Sequence, residues 1–290
     1  MRETRKKRSY FSQIWSRFCR NKPALVSLAI LTVIILLAIF ADVIAPYEEM
    51  ALTQNADLRF SGPSAEHILG TDGFGRDIFA RLIHGARWSL AFGFGGALSV
   101  YLIGLLIGAS IALIGGKLDE IVTRIIDIII SIPYSILLIS LVVLFGRGFT
   151  ALMLAIIISS VPGNIRYCRM IFLSIVNDSY IETARANGCS MLRIIFSHII
   201  PNAVSLLMIN FSMSVSSMTL SAAGFSYLGL GIQPPTPEWG SMLSEAQSYM
   251  RLYPASVIWP GIIIIVVGIA LNLVGDGMGE ALDPKKKESL

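Results

Sequence analysis

The sequence predicts an all-α polytopic membrane protein with six transmembrane helices. Apolar residues make up 54% of the chain and charged residues only 14%, and the mean hydropathy is +0.69. Six apolar runs each approach the roughly 20 residues that a helix needs to cross about 30 Å of hydrocarbon. The runs are continuous rather than alternating, which excludes the strands of a membrane barrel. They lie at 24–46, 88–114, 122–145, 149–172, 200–231 and 256–279.

The runs divide the chain into a sequence of segments with a preferred orientation. Most of its 23 lysines and arginines fall in segments that are cytoplasmic if the N-terminus is inside, so the positive-inside rule predicts both termini in the cytoplasm. The basic run at Arg5–Arg8 fits an orientation signal that contacts anionic lipid better than a nucleic-acid site. The predicted plan is a basic N-terminal tail at 1–23, a first transmembrane helix at 24–46, an external loop segment at 47–87, a five-helix core at 88–280 and a C-terminal tail at 281–290.

A polar segment between the fourth and fifth runs predicts a helical hairpin in the cytoplasm. It reads SYIETARANGCSMLRIIFSHIIPN. Ser179 and Glu182 have the spacing of a capping box, and Gly188 permits the left-handed backbone that ends a helix. Ser190 is placed to cap a second helix, which we expect to run until Pro201 opens the fifth span. Connections between spans usually need few residues, so an ordered one of this length indicates a function.

The same segment resembles the EAA loop of ATP-binding-cassette (ABC) importer permeases. The likeness is close throughout, with Thr183 in place of a second alanine and Ile200 in place of leucine. In that family the loop forms a coupling helix that sits in a cleft of the ATPase subunit. The resemblance therefore implies a coupling loop at 174–200, between transmembrane helices 4 and 5. Its candidate coupling residues are Tyr180, Glu182, Ala184, Arg185, Gly188, Arg193, His198 and Pro201.

Three further stretches resemble the second permease of dipeptide, oligopeptide and nickel importers. They are LGTDGFGRDIFARLIHGARWSL, YLGLGIQPPTPEWGSMLSEA and the C-terminal WPGIIIIVVGIALNLVGDGMGEALDP. Only small departures occur, such as Ala80 where the pattern has serine and Gly279 where arginine is usual. The resemblance implies a prokaryotic cell membrane, a homologous sister permease as a heterodimer partner, one or two ATPase subunits and an extracytoplasmic solute-binding protein. The solute is expected to be a peptide, with nickel or a metal chelate as the alternative.

The fifth run carries a polar stripe inside an otherwise apolar segment. Asn210, Ser214, Ser217 and Ser221 are spaced by four, three and four positions and therefore share one helical face. Such a stripe either packs on a neighbouring helix or lines a candidate translocation path, and the sequence leaves both interpretations open.

Two other features of the spans carry structural predictions. Gly104 and Gly108 in the second run form a small-xxx-small pattern, which indicates close helix packing. Arg124 and Asp127 lie three positions apart near the inner end of the third run. We interpret them as a structural ion pair on one face, with a proton relay as the less favoured alternative.

The predicted external loop segment contains histidines and aspartates, which are residue types that commonly bind metal ions. His67 and His84, with Asp72 and Asp77, have spacings that fit no compact metal motif. We therefore predict no metal site and no bound cofactor in this chain.

No catalytic motif is present in the sequence. It has no P-loop, HExxH, CxxC or GxSxG, so ATP and Mg²⁺ are expected to be used by the partner ATPases. A secondary transporter would need midplane ionisable residues and internal repeats. A membrane receptor or scaffold would need a sizeable soluble domain. Neither is evident, and neither class explains the hairpin.

Overall fold

The computed structural model describes residues 10–282, and its regular structure is helical throughout that part of the chain, as predicted. Residues 1–9 and 283–290 lie outside it, including the Arg5–Arg8 run and most of the predicted C-terminal tail. The helices are α1 Tyr10–Phe18, α2 Lys22–Ile39, α3 Ala41–Ile44, α4 Ile78–Ile114, α5 Gly116–Ile130, α6 Tyr134–Phe145, α7 Phe149–Val176, α8 Ser179–Ala186, α9 Met191–Ile194, α10 Ile200–Tyr227, α11 Trp239–Ala246 and α12 Ala255–Leu282.

Five helical stretches are long and apolar enough to cross a membrane, and α5 with α6 makes a sixth if the bent pair counts as one span. The five are Lys22–Ile39, Ile78–Ile114, Phe149–Val176, Met191–Tyr227 and Ala255–Leu282.

The predicted continuous third span at 122–145 is wrong. The chain bends by 85° between α5 and α6. Pro133 lies at the bend and is the residue that precedes α6. A proline has no backbone N–H to donate and its ring clashes with the preceding turn, so it kinks or breaks a helix.

The second span begins earlier than the apolar run suggests. Helix α4 starts at Ile78, ten residues inside the segment predicted as external loop, and is 37 residues long. Asp77 caps it by accepting a hydrogen bond from the Ala80 N–H at 2.6 Å. At 1.5 Å per residue, α4 is about 55 Å long and exceeds the hydrocarbon thickness. Its first turns therefore project beyond the membrane.

The predicted N-terminal tail contains a helix in its described part. Phe18, at the end of α1, is buried with Ala24 of α2 and Ala281 of α12. A Cβ atom on Gly277 would lie 3.1 Å from the Phe18 ring, so this glycine gives the ring room. The contact ties the N-terminal end of the first span to the C-terminal end of the last.

The centre of the bundle consists of α4, α7, α10 and α12. Phe92, Leu152, Ile156, Val215 and Val267 are fully or almost fully buried between them. Close approach of α4 to α7 depends on the predicted glycine pair. A Cβ on Gly108 would stand 2.8 Å from the Cys168 Cβ, and one on Gly104 would overlap the Asn164 side chain. The packing prediction for this pair is confirmed.

The end of the bundle where α4 begins is covered by loops and by α11. Trp239 is fully buried and its Nε1–H donates to the Leu82 carbonyl at 3.0 Å. Glu238 caps α11 by accepting the N–H groups of Gly240 and Ser241 at 3.0 and 2.9 Å. Burial raises the pKa of the Glu238 carboxyl, and these hydrogen bonds oppose that rise.

A buried ion cluster fastens the loop before α4 to α11. The Glu245 carboxylate lies 3.1 Å from Nη2 of Arg76 and 2.5 Å from Nη2 of Arg81. Arg76 Nε also donates to Asp72 Oδ2 at 2.8 Å. Both guanidinium groups are only 1% exposed. Each buried positive charge therefore has a negative partner within hydrogen-bonding distance, which is what a buried charge requires.

Candidate functional site

The hairpin between α7 and α10 is built as the sequence suggests at its turn. Gly188 has φ of 72°, the left-handed conformation that favours glycine. Its N–H donates to the Arg185 carbonyl at 2.9 Å, and the Cys189 N–H donates to the Ala184 carbonyl at 3.1 Å. These bonds end α8, and the Ser190 hydroxyl then accepts the Arg193 N–H at 3.4 Å to start α9. The predicted roles of Gly188 and Ser190 are confirmed.

The predicted capping box at the start of α8 is not formed. The helix begins one residue earlier than that motif requires, so Asp178 rather than Ser179 occupies the cap position, without a side-chain capping bond. The N–H of Ile181 and that of Glu182 instead donate to the Asp178 carbonyl, at 2.9 and 3.3 Å. Asp178 is extended there, with φ of −71° and ψ of 141°, and this backbone sets where the helix starts.

The second arm of the hairpin is continuous with the fifth span. Helix α9 passes through a wide turn at Ile195–Ile199 into α10, and Pro201 stands in the first turn of α10 as predicted, although no break separates the two helices. In a π-type turn the backbone N–H groups bond to carbonyls five residues earlier, so the helix widens there without breaking. The Asn202 amide also donates to the His198 carbonyl at 2.7 Å. The second arm of the hairpin and α10, which carries the polar stripe, therefore form one continuous helical stretch.

One face of the hairpin is buried against the bundle. Ile181 and Ala184 of α8 pack with Ile194 and Ile195 of the second arm and with side chains of α4, α7 and α10. These buried side chains form one cluster, here called the inner cluster. Its buried members are Tyr101, Ala109, Ala112, Cys168, Ile171, Phe172, Val176, Ile181, Ala184, Ile194, Ile195, Ile199, Ala203 and Leu207.

The opposite face of the hairpin is exposed. Among the candidate coupling residues, Tyr180, Glu182 and Arg193 lie on it, whereas His198 is half-buried and Ala184 belongs to the inner cluster. Two large apolar residues of the second arm are also exposed, Leu192 at 63% and Phe196 at 56%. Their exposure on the cytoplasmic side of the predicted topology makes them candidate partner contacts that sequence patterning missed.

Arg185 makes a contact within this chain. Its NH2 group donates to the Leu113 carbonyl at 3.1 Å, near the C-terminal end of α4. The guanidinium group thereby satisfies one of the carbonyls that lack a partner at a helix end, where a positive charge is also favoured. It ties α8 to the second span.

All four residues of the polar stripe line one cavity. The cavity has a volume of about 420 Å³ between α4, α6, α7 and α10. The structure thus places the stripe on an open cavity of this chain, and its role in a translocation path stays a prediction. No lining residue is charged. The lining consists of Val100, Tyr134, Ser160, Gly163, Asn164, Tyr167, Asn210, Ser214, Ser217, Met218 and Ser221.

The cavity wall is connected to the hairpin through Tyr101. The Tyr101 hydroxyl donates to the Asn210 side-chain oxygen, and the Tyr101 ring packs edge-on against Phe211 at a centroid distance of 5.3 Å. Tyr101 is also a buried member of the inner cluster that contains Ile181 and Ile195. A continuous set of contacts therefore runs from the hairpin between α7 and α10 to a residue that lines the cavity.

The predicted ion pair between Arg124 and Asp127 is not formed. Asp127 instead lies 3.3 Å from Arg166 of α7, and Arg124 has no acidic partner within the described residues. A second pair, which the sequence analysis missed, joins Asp119 to Arg169 at 2.5 Å. The bend at Pro133 lets α5 cross α7, so arginines from the neighbouring helix reach these carboxylates.

The external histidines are used in the loop structure itself. His67 Nδ1 lies 2.9 Å from the Asp77 carboxylate, and His84 Nε2 bonds to the Ala45 carbonyl at 2.8 Å. Asp72 is the partner of Arg76. Within residues 10–282 these side chains do not converge on a common point that would hold a metal.

Comparison with known proteins gives full-length relatives. The family model for the binding-protein-dependent transport system inner membrane component matches residues 101–288. That for the N-terminal transmembrane domain of oligopeptide transport permease C matches residues 9–63. The chain is 38% identical to the dipeptide transport system permease protein DppC of Alkalihalophilus pseudofirmus, over 96% of this chain and 91% of that protein. It is 38% identical to the glutathione transport system permease protein GsiD of Pectobacterium atrosepticum, over 97% and 93%.

A solved structure shares the fold. An inward-facing MetNI methionine ABC transporter chain aligns with a TM-score of 0.59 and 19% identity, over 70% of this chain and 96% of that one. With the family model matched over most of the chain and close relatives along nearly all of it, the chain belongs to the inner membrane component family of binding-protein-dependent transport systems.

Proposed function

We propose that this chain is one permease subunit of an ATP-driven importer of short peptides. The observation that carries the proposal is the 38% identity over 96% of the chain to a dipeptide transport permease. Relatives named for di/tripeptide and glutathione transport give the same class of solute. The neutral polar cavity supports it, because serine, asparagine and tyrosine side chains hydrogen-bond peptide amides without requiring a particular charge.

In this proposal the working unit is larger than the chain. A sister permease supplies the other half of the path, and one or two ATPase subunits bind the exposed face of the coupling hairpin. An extracytoplasmic protein delivers the solute, and both termini are cytoplasmic. ATP and Mg²⁺ bind only to the ATPase subunits, so this chain itself is not catalytic.

Coupling follows from the contacts between hairpin and cavity. When the ATPases close, they displace α8 and α9, and the inner cluster passes that displacement to Tyr101 and to α10. Packed clusters move between discrete arrangements rather than deforming continuously. The bond from Tyr101 to Asn210 lies where that change reaches the cavity. Nucleotide alters solute access only because the two arrangements make different contacts.

The direct test is purification of the tagged chain from its native membranes in mild detergent, with mass spectrometry of bound proteins and retained ligand. We expect a sister permease, one or two ATPases, a solute-binding protein and a short peptide. A retained nickel chelate would identify the alternative solute. Recovery of this chain alone from an otherwise intact preparation would contradict the proposal and favour an ion-coupled transporter.

Gly188→Leu is expected to uncouple ATP hydrolysis from transport. A residue with a Cβ in the left-handed region costs about 1–2 kcal/mol, and nothing lies within 4 Å of the Cβ position, so backbone strain is the whole effect. Uptake and ATPase activity of the reconstituted complex measure it. Asparagine tolerates this conformation, so Gly188→Asn should remain close to wild type. Normal coupling in Gly188→Leu would show that the turn geometry is not required.

A further inference from the structure

We propose that α5 does not span the membrane but lies along its cytoplasmic surface, and that Arg124 binds the phosphate of an inner-leaflet phospholipid. The inference goes beyond the transport function and would hold for any solute. It begins from the 85° bend between α5 and α6. Two helices at nearly a right angle cannot both follow the membrane normal.

The contacts of α5 with α7 show which helix leaves the normal. Asp119 and Asp127 are eight positions apart on α5, a distance of about 12 Å along a helix. Their partners Arg169 and Arg166 are only three positions apart on α7, about 4.5 Å. Ile126 also packs between Ile111 and Ile165 of the two long helices. Helix α5 therefore crosses α7 steeply.

The level of the crossing is near the cytoplasmic end of α7. Arg166 and Arg169 lie in the second half of Phe149–Val176, which leads directly into the coupling hairpin. By contrast, Tyr134 at the start of α6 shares the cavity with Ser160 of α7, further from that end. The chain thus enters at the inner boundary with α5, and α6 starts at the depth of the cavity, so its 12 residues, about 18 Å, have only the outer part of the bundle to cross.

The surface of α5 has the pattern of an interfacial helix. Leu118, Ile121, Ile125 and Ile128 recur at spacings of three and four and are 45–68% exposed, so they form an unpartnered apolar stripe. A second exposed edge carries Lys117, Glu120 and Arg124. A helix with an apolar side and a charged side lies in the plane of the membrane boundary, with the apolar side toward the acyl chains.

Charge on that edge favours phospholipid headgroups. The carboxylates of Asp119 and Asp127 are neutralised by α7, which leaves Lys117 and Arg124 against Glu120 on the exposed edge. Arg124 has no acidic partner among the described residues. A guanidinium group binds phosphate through paired N–H donors, and the inner leaflet carries anionic lipid. An exposed arginine beside an apolar stripe is placed to bind there.

The orientation of α5 is testable with spin labels on the full chain in the background Cys19→Ser, Cys168→Ala and Cys189→Ser. The chain, in its recovered complex, is placed in vesicles of phosphatidylcholine and phosphatidylglycerol. Accessibility to oxygen and to a water-soluble nickel chelate measures depth at Ile121→Cys and Ile128→Cys. We expect equal, shallow depths. A helix along the normal would separate them by about 10 Å. Leu98→Cys and Leu106→Cys on the exposed side of α4 calibrate that separation.

Two results would overturn this placement. One is a depth difference as large as that of the α4 pair. The other is exclusion of both reagents, which would mean that a sister permease or a second copy covers the stripe.

The headgroup contact is tested separately by the lipid that copurifies. In Arg124→Gln we expect about a fivefold loss of bound phosphatidylglycerol relative to phosphatidylcholine, the effect of one basic residue near the surface. Arg147→Gln removes an exposed arginine from the turn between α6 and α7 at the other end of the bundle, and should change nothing. An unchanged phosphatidylglycerol ratio in Arg124→Gln would rule out the phosphate contact.

Discussion

Replacing Ser214, Ser217 and Ser221 together by leucine is expected to reduce transport by about two orders of magnitude. The three side chains line the same cavity of about 420 Å³, so the substitution narrows it and removes three hydroxyls. Hydrogen bonds contribute about 1 kcal/mol each, and each 1.4 kcal/mol is a factor of ten. Uptake of labelled dipeptide and glutathione by the reconstituted complex, normalised to assembled complex, measures the loss.

Two control variants distinguish three causes of reduced transport: filling of the cavity by larger side chains, loss of the hydroxyl groups, and destabilisation of α10. The triple alanine variant removes the hydroxyls without filling the cavity, so a smaller loss is expected. Leu220 is on the same helix but 60% exposed on the outer side, and Leu220→Ser should transport normally. Wild-type uptake by an intact complex with three leucines would place the solute path outside this cavity.

Local sequence signals predicted the parts of the site that depend on local backbone. Gly188 is left-handed because few other residues accept that φ, and Ser190 caps α9 because its hydroxyl is close to the Arg193 N–H. The polar stripe faces one direction because helical periodicity fixes it. The resemblance identified the hairpin as functional, but only the structure connects it to the cavity through Tyr101.

Two of the failures concern partners that are distant in sequence. Asp127 was assigned to Arg124 because three positions along a helix bring side chains together, yet Arg166 on another helix reaches it. The start of α4 was missed because Arg81 and Arg87 interrupt the apolar run. Their charges are balanced by Glu245 and Asp42, at 2.5 and 2.7 Å, which hydropathy does not register. In each case an ion pair between residues distant in sequence stabilises an arrangement that local sequence patterns do not reveal.

The same reasoning gives Glu245→Leu the largest expected effect on stability. Glu245 is the shared partner of Arg76 and Arg81, and both guanidinium groups are 1% exposed. Its removal leaves Arg81 with the carbonyls of Ala51 and Pro235 and, as its only acidic neighbour within the described residues, the more distant Asp72 oxygen at 3.6 Å. Breaking a buried pair by removing one partner costs about 3–5 kcal/mol, because the remaining charge stays buried without compensation.

A loss of that size should lower the Tm of the purified chain in detergent on the order of 10 °C. Glu66 lies in the loop before α4 and is exposed, and Glu66→Leu should leave the Tm within error, since surface charges contribute little. Glu245→Gln keeps hydrogen-bonding atoms and loses only the charge, so its Tm should fall between the two.

If Glu245→Leu instead unfolds like the wild type, leucine packing must offset the lost ion pairs, as occurs when whole buried pairs are replaced by apolar residues. The triple variant Arg76→Met, Arg81→Met and Glu245→Leu separates these cases, because removing all three charges leaves only Asp72 to be satisfied and should restore much of the Tm lost in Glu245→Leu.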